Sequence, residues 1–131
     1  MKSRILLDTN AYSDLMRGNE QILDMLSISQ RVYMSVIVLG ELYTGFKGGA
    51  YEQKNRDTLK KFLARPTVRT VHVTVETADI FSNLMLSLKQ NGTKIPINDV
   101  WIAAHALEIG ARLVTRDQHF MSVAGLRTAF I

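Results

Sequence analysis

Four acidic side chains stand at points where carboxylates could share one task. Asp8 follows the apolar run Arg4-Ile5-Leu6-Leu7, Glu41 lies within Val36 to Tyr43, Asp99 follows Ile95-Pro96-Ile97-Asn98, and Asp117 closes Thr115-Arg116-Asp117. Taken singly, Asp8, Asp99 and Asp117 read as helix caps, a role worth about 0.5–2 kcal/mol. Glu41 resists that reading, because it is the only charged residue from Val32 to Phe46. A segment so apolar is expected to be largely buried, and a buried carboxylate needs a cation, a hydrogen-bond network or a proton. The bland account is an ion pair with a structural arginine; the functional one is that Glu41 faces the same rim as the other three acids. Four carboxylates in one pocket would repel and raise one another's pKa, a cost that a divalent cation removes. Oxygen-only ligands favour a hard ion such as Mg²⁺ or Mn²⁺. Such an ion acidifies bound water and offsets charge building on a phosphoryl oxygen, so the predicted chemistry is phosphodiester hydrolysis.

These acids can meet only if the chain folds so as to gather them. Strands are expected at Arg4–Leu7, Val32–Met34, Val68–Val73 and Arg112–Thr115, with Leu126–Ile131 as an edge strand. Between them run helical patterns: a first region from Ala11 to Ser29, a polar helix from Tyr51 to Leu63, and Ile80, Phe81, Leu84, Met85 and Leu88 at helical spacing before Asn91-Gly92. A last helix runs from Asn98 to Glu108 and stops at Gly110. Strands separated by helices imply parallel pairing through right-handed crossovers. The expected fold is therefore α/β, a three-layer α/β/α sandwich with a central, mostly parallel sheet of four to five strands, in one domain spanning 1–131. In such a sheet, ligands bind outside the carboxyl ends of the strands, where Asp8 and Asp117 would fall.

Composition narrows the field. The chain has 131 residues, 47% hydrophobic and 21% charged, which is one globular domain rather than a disordered chain. It contains no cysteine, which excludes a disulfide framework, a thiolate zinc site and a cysteine nucleophile. No apolar run approaches the roughly 18 residues of a membrane helix, and the stretch after Met1-Lys2-Ser3-Arg4 is too short for a signal peptide, so a cytoplasmic protein with no membrane partner is expected. Sixteen Lys and Arg against twelve Asp and Glu give +4; setting the four rim acids aside leaves 16 − 8 = +8 for the remaining surface. The basic residues are densest from Lys47 to Arg69, where seven face only two acids. A basic exterior around an acidic pocket suits an enzyme acting on a polyanion, although each Lys or Arg taken alone reads as a solvated surface charge.

The motifs themselves sharpen the reading. Leu7-Asp8-Thr9-Asn10, Ser35 to Gly45 with Gly40-Glu41-Leu42, Asn98-Asp99 to Ala103-Ala104, and Leu113-Val114-Thr115-Arg116-Asp117 followed by Phe120 occur in that order over nearly the whole chain. In these segments the sequence resembles the PIN-domain ribonucleases, and among them the VapC toxins of bacterial toxin–antitoxin pairs. The resemblance implies a central parallel sheet, an acidic site holding Mg²⁺ or Mn²⁺, and endonucleolytic cleavage of RNA that leaves 3′-hydroxyl and 5′-phosphate ends. It implies Asp8, Glu41, Asp99 and Asp117 as the catalytic quartet, with Asp8, Asp99 and Asp117 on the metal and Asn10 and Thr115 in support. It also implies a cognate antitoxin protein and a homodimer as partners. Where many family members carry a further acid two positions after the one matched by Asp117, this chain has His119. His119 and Arg116 are candidate RNA contacts, and Glu41 the candidate for orienting the attacking water.

Other residues invite plainer readings. His72 and His105 are expected to be structural, and Trp101 and Tyr43 to lie in the core or an interface rather than to stack on bases. Two rival classes compete with the nuclease. A phosphoaspartate enzyme would use Asp8 as nucleophile, but Asn10 replaces the second acid of an Asp-x-Asp motif and no lysine follows Thr115 as receiver domains require. A non-catalytic nucleic-acid-binding module would use the basic stretch and leave the acids as caps; saturable Mn²⁺ binding separates it from a nuclease. A PIN nuclease of RNA processing, without a toxin role, is the third alternative.

Overall fold

The computed structural model describes residues 3–131. Arg4–Leu7 forms β1, and the burial of Ile5, Leu6 and Leu7 in succession shows why this run is apolar without alternation. A strand covered on both faces has no solvent side to make polar. The chain continues through α1 (Thr9–Met16), α2 (Glu20–Ile28), β2 (Arg31–Ser35), α3 (Val36–Phe46), α4 (Glu52–Leu63), β3 (Val68–Val71), α5 (Val75–Gln90), α6 (Ile97–Ile109), β4 (Arg112–Thr115), a short 3₁₀ turn (Gln118–Ser122) and β5 (Thr128–Phe130). The five strands pair in parallel in the order β3-β2-β1-β4-β5, with helices covering the sheet. This is the expected three-layer α/β/α sandwich. Among the described residues, no helix is long and apolar enough to cross a membrane.

The strand order positions the site. Chain order runs outward from β1 to β2 and β3 on one side, then returns to β4 and β5 on the other, so β1 and β4 flank the point where the winding reverses. Crevices form at the carboxyl ends of such a pair. The register Leu7↔Val114 brings the residues after both strands to that crevice together.

Several boundaries differ from expectation, each for a local reason. The first helical region is two helices, because Gly18 adopts a left-handed φ of +88° and Asn19 caps a new start by accepting from the Ile22 amide. The third strand ends at Val71 rather than Val73, since its partner β2 ends at Ser35, paired with Val71. The helix marked by Ile80 to Leu88 begins earlier, at Val75, where Thr74 and Thr77 form a reciprocal cap.

Candidate active site

Asp8 lies immediately beyond β1 with its side chain almost wholly buried, 3% exposed. One carboxylate oxygen accepts from the Ala11 amide at 2.8 Å, so Asp8 does cap α1. The other accepts from the Thr115 hydroxyl at the end of β4. Thr115 in turn accepts from the Asp117 amide at 3.0 Å, so one hydroxyl joins Asp8 to the backbone that carries Asp117. Asp99 sits in the first turn of α6, where Pro96 starts the helix and presents its carboxylate at the crevice, half-buried. It shares a hydrogen bond of 2.8 Å with His119 Nε2. One ligand atom from each of Asp99, Asp117 and His119 lies within 4.8 Å of the others, a grouping able to hold a metal ion.

Glu41 departs from its expected depth, and the bland alternative of an arginine partner does not hold. It is half-buried rather than largely buried, because the neighbouring Gly40, Thr44 and Gly45 of α3 are exposed while Val38, Leu39 and Leu42 carry the burial. Its partner is not an arginine but Thr9, whose hydroxyl donates to Oε1 at 2.6 Å. Thr9 belongs to the Leu7-Asp8-Thr9-Asn10 motif, yet sequence reasoning gave it no role. The Asn10 side chain makes no hydrogen bond among the described residues. Arg116 is half-exposed and turned toward α1, its Nε 3.7 Å from Asp14, which also pairs with Arg17.

Charge shows that these groups feel one another. Burial pushes the Asp8 carboxyl up to about 6, with Asp117 and Asp99 adding to the rise and the Thr115 and Ala11 hydrogen bonds opposing it. Asp99 is also raised, first by burial and then by Glu41 and Asp117, against the pull of His119. Among the described residues, no lysine or arginine pairs with Asp8, Glu41, Asp99 or Asp117. The acids from four separate stretches of chain therefore crowd one rim, where the His119 imidazole is the one basic side chain paired with any of them among the described residues. Such a set fits a divalent cation, because an external positive charge relieves the mutual repulsion that their hydrogen bonds leave.

Two neighbouring features clarify the rim. His105, on the same helix as Asp99, is fully buried: its Nδ1 meets Ser35 Oγ at 2.8 Å and its Nε2 meets the His72 carbonyl at 3.2 Å. Ser35 caps α3, so this chain of bonds ties the helix of Asp99 to the helix of Glu41. A groove of about 580 Å³ lined by Met85, Leu88, Ile95, Ile97 and Val100 is apolar and contains none of the acids. Trp101 stacks on Phe81 at 3.8 Å, and Tyr43 packs edge-on against Phe46 under Arg56, neither placed as a free stacking platform.

Comparison with known proteins gives the family of the chain as a whole. A model of the PIN domain matches residues 5–126. The chain is 31% identical over 128 residues to Ribonuclease VapC2 of Haemophilus influenzae, covering 95% of this chain and 96% of that one. VapBC-1 from nontypeable Haemophilus influenzae superposes with a TM-score of 0.86 at 26% identity, covering 97% of each chain. VapBC-5 from Mycobacterium tuberculosis, a member of the VapBC family of toxin–antitoxin systems, superposes with a TM-score of 0.73 at 27% identity, covering 98% of each chain.

Proposed function

Because the chain belongs to the PIN domain family, we propose that it is a divalent-cation-dependent endoribonuclease, the toxin of a toxin–antitoxin pair. The relative named ribonuclease and the neighbour from the VapBC family of toxin–antitoxin systems support the two halves of that reading. The observation that carries it is the rim of Asp8, Glu41, Asp99 and Asp117, held together at the β1/β4 crevice without a lysine or arginine partner. The whole chain, 1–131, acts as one domain. Its partners are an RNA substrate, an antitoxin protein and a second copy of the chain, and it works in the cytoplasm.

Asp8, Asp99 and Asp117 hold the cation, Mg²⁺ or Mn²⁺. When bound, the cation supplies an activated water and stabilises charge on the phosphodiester. The remaining work falls to this chain's own groups. Thr115 fixes the Asp8 carboxylate through its hydroxyl and the approach of Asp117 through its oxygen, as groups behind ligands do. Glu41, whose carboxylate accepts from Thr9, aligns the attacking water and accepts its proton. Asn10, half-buried in the first turn of α1, supports the same edge. Arg116, with the basic Lys47–Arg69 stretch, steadies the RNA backbone by charge. The cut leaves 3′-hydroxyl and 5′-phosphate ends.

The test compares wild type and Asp8→Asn on defined RNAs with Mg²⁺, Mn²⁺ or chelator. Internal cutting that needs the cation, and that Asp8→Asn lowers by about 10³-fold or more while remaining folded, is expected. Equal cutting by the variant, or indifference to chelator, rejects the nuclease assignment. Growth arrest on expression, relieved by co-expressing a neighbouring gene's product, is the expected sign of the toxin role.

A further inference from the structure

The cation site just described draws on oxygen donors alone, but the fold brings a nitrogen donor into the same cluster. His119 lies in the 3₁₀ turn that starts directly after Asp117, and its Nε2 sits 2.8 Å from Asp99 Oδ2. The ligand atoms of Asp99, Asp117 and His119 fall within 4.8 Å of one another. Around a six-coordinate ion with bonds of about 2.1 Å, neighbouring ligand atoms lie about 3 Å apart and opposite ones about 4.2 Å apart. The spacing of the three groups is thus close to that of one coordination sphere. The imidazole is also supported from behind, since the fully buried Phe120 ring lies 4.7 Å from it, centroid to centroid. Its side chain keeps about a third of its surface exposed, so the ring stands at the open edge of the rim rather than in the core.

We propose that His119 is a nitrogen ligand of the cation, added beside Asp99 and Asp117 to the carboxylates already assigned, so that the site prefers a first-row transition dication to Mg²⁺. The inference rests on reading the rim as a divalent-cation site. Mg²⁺ holds its waters and takes oxygen donors, whereas imidazole suits borderline transition ions, so replacing a carboxylate by a histidine shifts the preference between them. Nε2 and Asp99 Oδ2 face each other at 2.8 Å, and both would be free to hold the cation once the hydrogen shared between them left to solvent.

Mn²⁺ alone, added to the full chain, tests this by electron spin-echo spectroscopy. Wild type should show the ¹⁴N modulation of a directly coordinated imidazole, altered on selective ¹⁵N-histidine labelling. His105 does not confuse the signal, since both its ring nitrogens are already engaged in the core. His119→Asp should bind Mn²⁺ without that modulation, and Mg²⁺ should displace Mn²⁺ from it at about tenfold lower concentration than from wild type. Mn²⁺ bound to wild type with no imidazole modulation, or equal displacement by Mg²⁺ in both proteins, overturns the nitrogen ligand while sparing the cation site. If wild type has no saturable Mn²⁺ site, the cation reading fails and the ligand with it.

Discussion

Helix α6 carries two polar clusters less than two turns apart, one around His105 and one around Asp99, and they solve burial in opposite ways. Around His105 every group is answered: the Ile37 amide donates to Ser35 Oγ, the Ser35 hydroxyl donates to Nδ1, and Nε2–H donates to the His72 carbonyl. That sequence of donors fixes the tautomer and keeps the ring neutral, and burial holds its pKa below the ordinary 6.5. Around Asp99 the groups are mostly acids, and burial raises both Asp8 and Asp99. A closed neutral network is inexpensive inside a protein, whereas an open charged one keeps a cost that a proton or an outside cation removes. The first cluster serves the fold, and the second carries a crowding of carboxylates that a bound cation would relieve.

The two clusters should therefore respond to pH with opposite signs. Asp8 rises from 3.8 unfolded to about 6 folded, so between those values the folded state binds more protons and stability falls as pH rises. That cost, about 3 kcal/mol at most, is complete above pH 6. His105 is lowered, so its contribution is present at neutral pH and is lost as pH falls below 6.5. Asp8→Asn removes the first effect: the metal-free variant should melt higher than wild type at pH 7.5, by several degrees, and the gap should close near pH 4. Cation should stabilise wild type at pH 7.5 and do little for the variant. A variant that melts lower at every pH would show that Asp8 is a cap and nothing more.

His105→Leu cuts the other cluster. It leaves the buried Ser35 hydroxyl without its acceptor, while the His72 carbonyl belongs to an exposed residue and can turn to water. The expected loss is about 2 kcal/mol, visible in thermal melts at pH 7.5. The acid-side loss attributed to this histidine should disappear with it, leaving the Asp8 slope bare between pH 4 and 6. An unchanged pH profile would mean that the ring's neutrality has no part in stability.

The sequence made one of these clusters far more legible than the other. Asp8 and Asp117 could be placed because β1 and β4 are covered on both faces and so read as unbroken apolar runs ending at those acids. The capping expected of Asp8 uses one oxygen, on the Ala11 amide, while the other meets the Thr115 hydroxyl. Glu41 was misjudged in depth because mean hydropathy reports a helix's surroundings, not which turn reaches the surface. The pairs His119–Asp99 and Ser35–His105 join residues 20 and 70 apart, and no local period carries such a contact. Thr9 was overlooked for the opposite reason: it sits inside a recognised motif, where a threonine at a helix start needs no further explanation.

Thr9 also gives the smallest break in the comparison, because it reaches the open cluster without adding or removing charge. Its hydroxyl ties the first residue of α1 to Glu41 on α3. Thr9→Val keeps the volume and the branching while deleting the donor. Glu41 is half-buried, so water can replace the lost partner, and the stability change should stay within about 1 kcal/mol. The carboxylate would nonetheless lose its fixed direction. If Glu41 aligns the water, kcat should fall about tenfold with KM and Mn²⁺ affinity unchanged, and Thr9→Ser should restore it. A Thr9→Val enzyme with wild-type kcat would take Glu41 out of the reaction and leave it as one more charge on the rim.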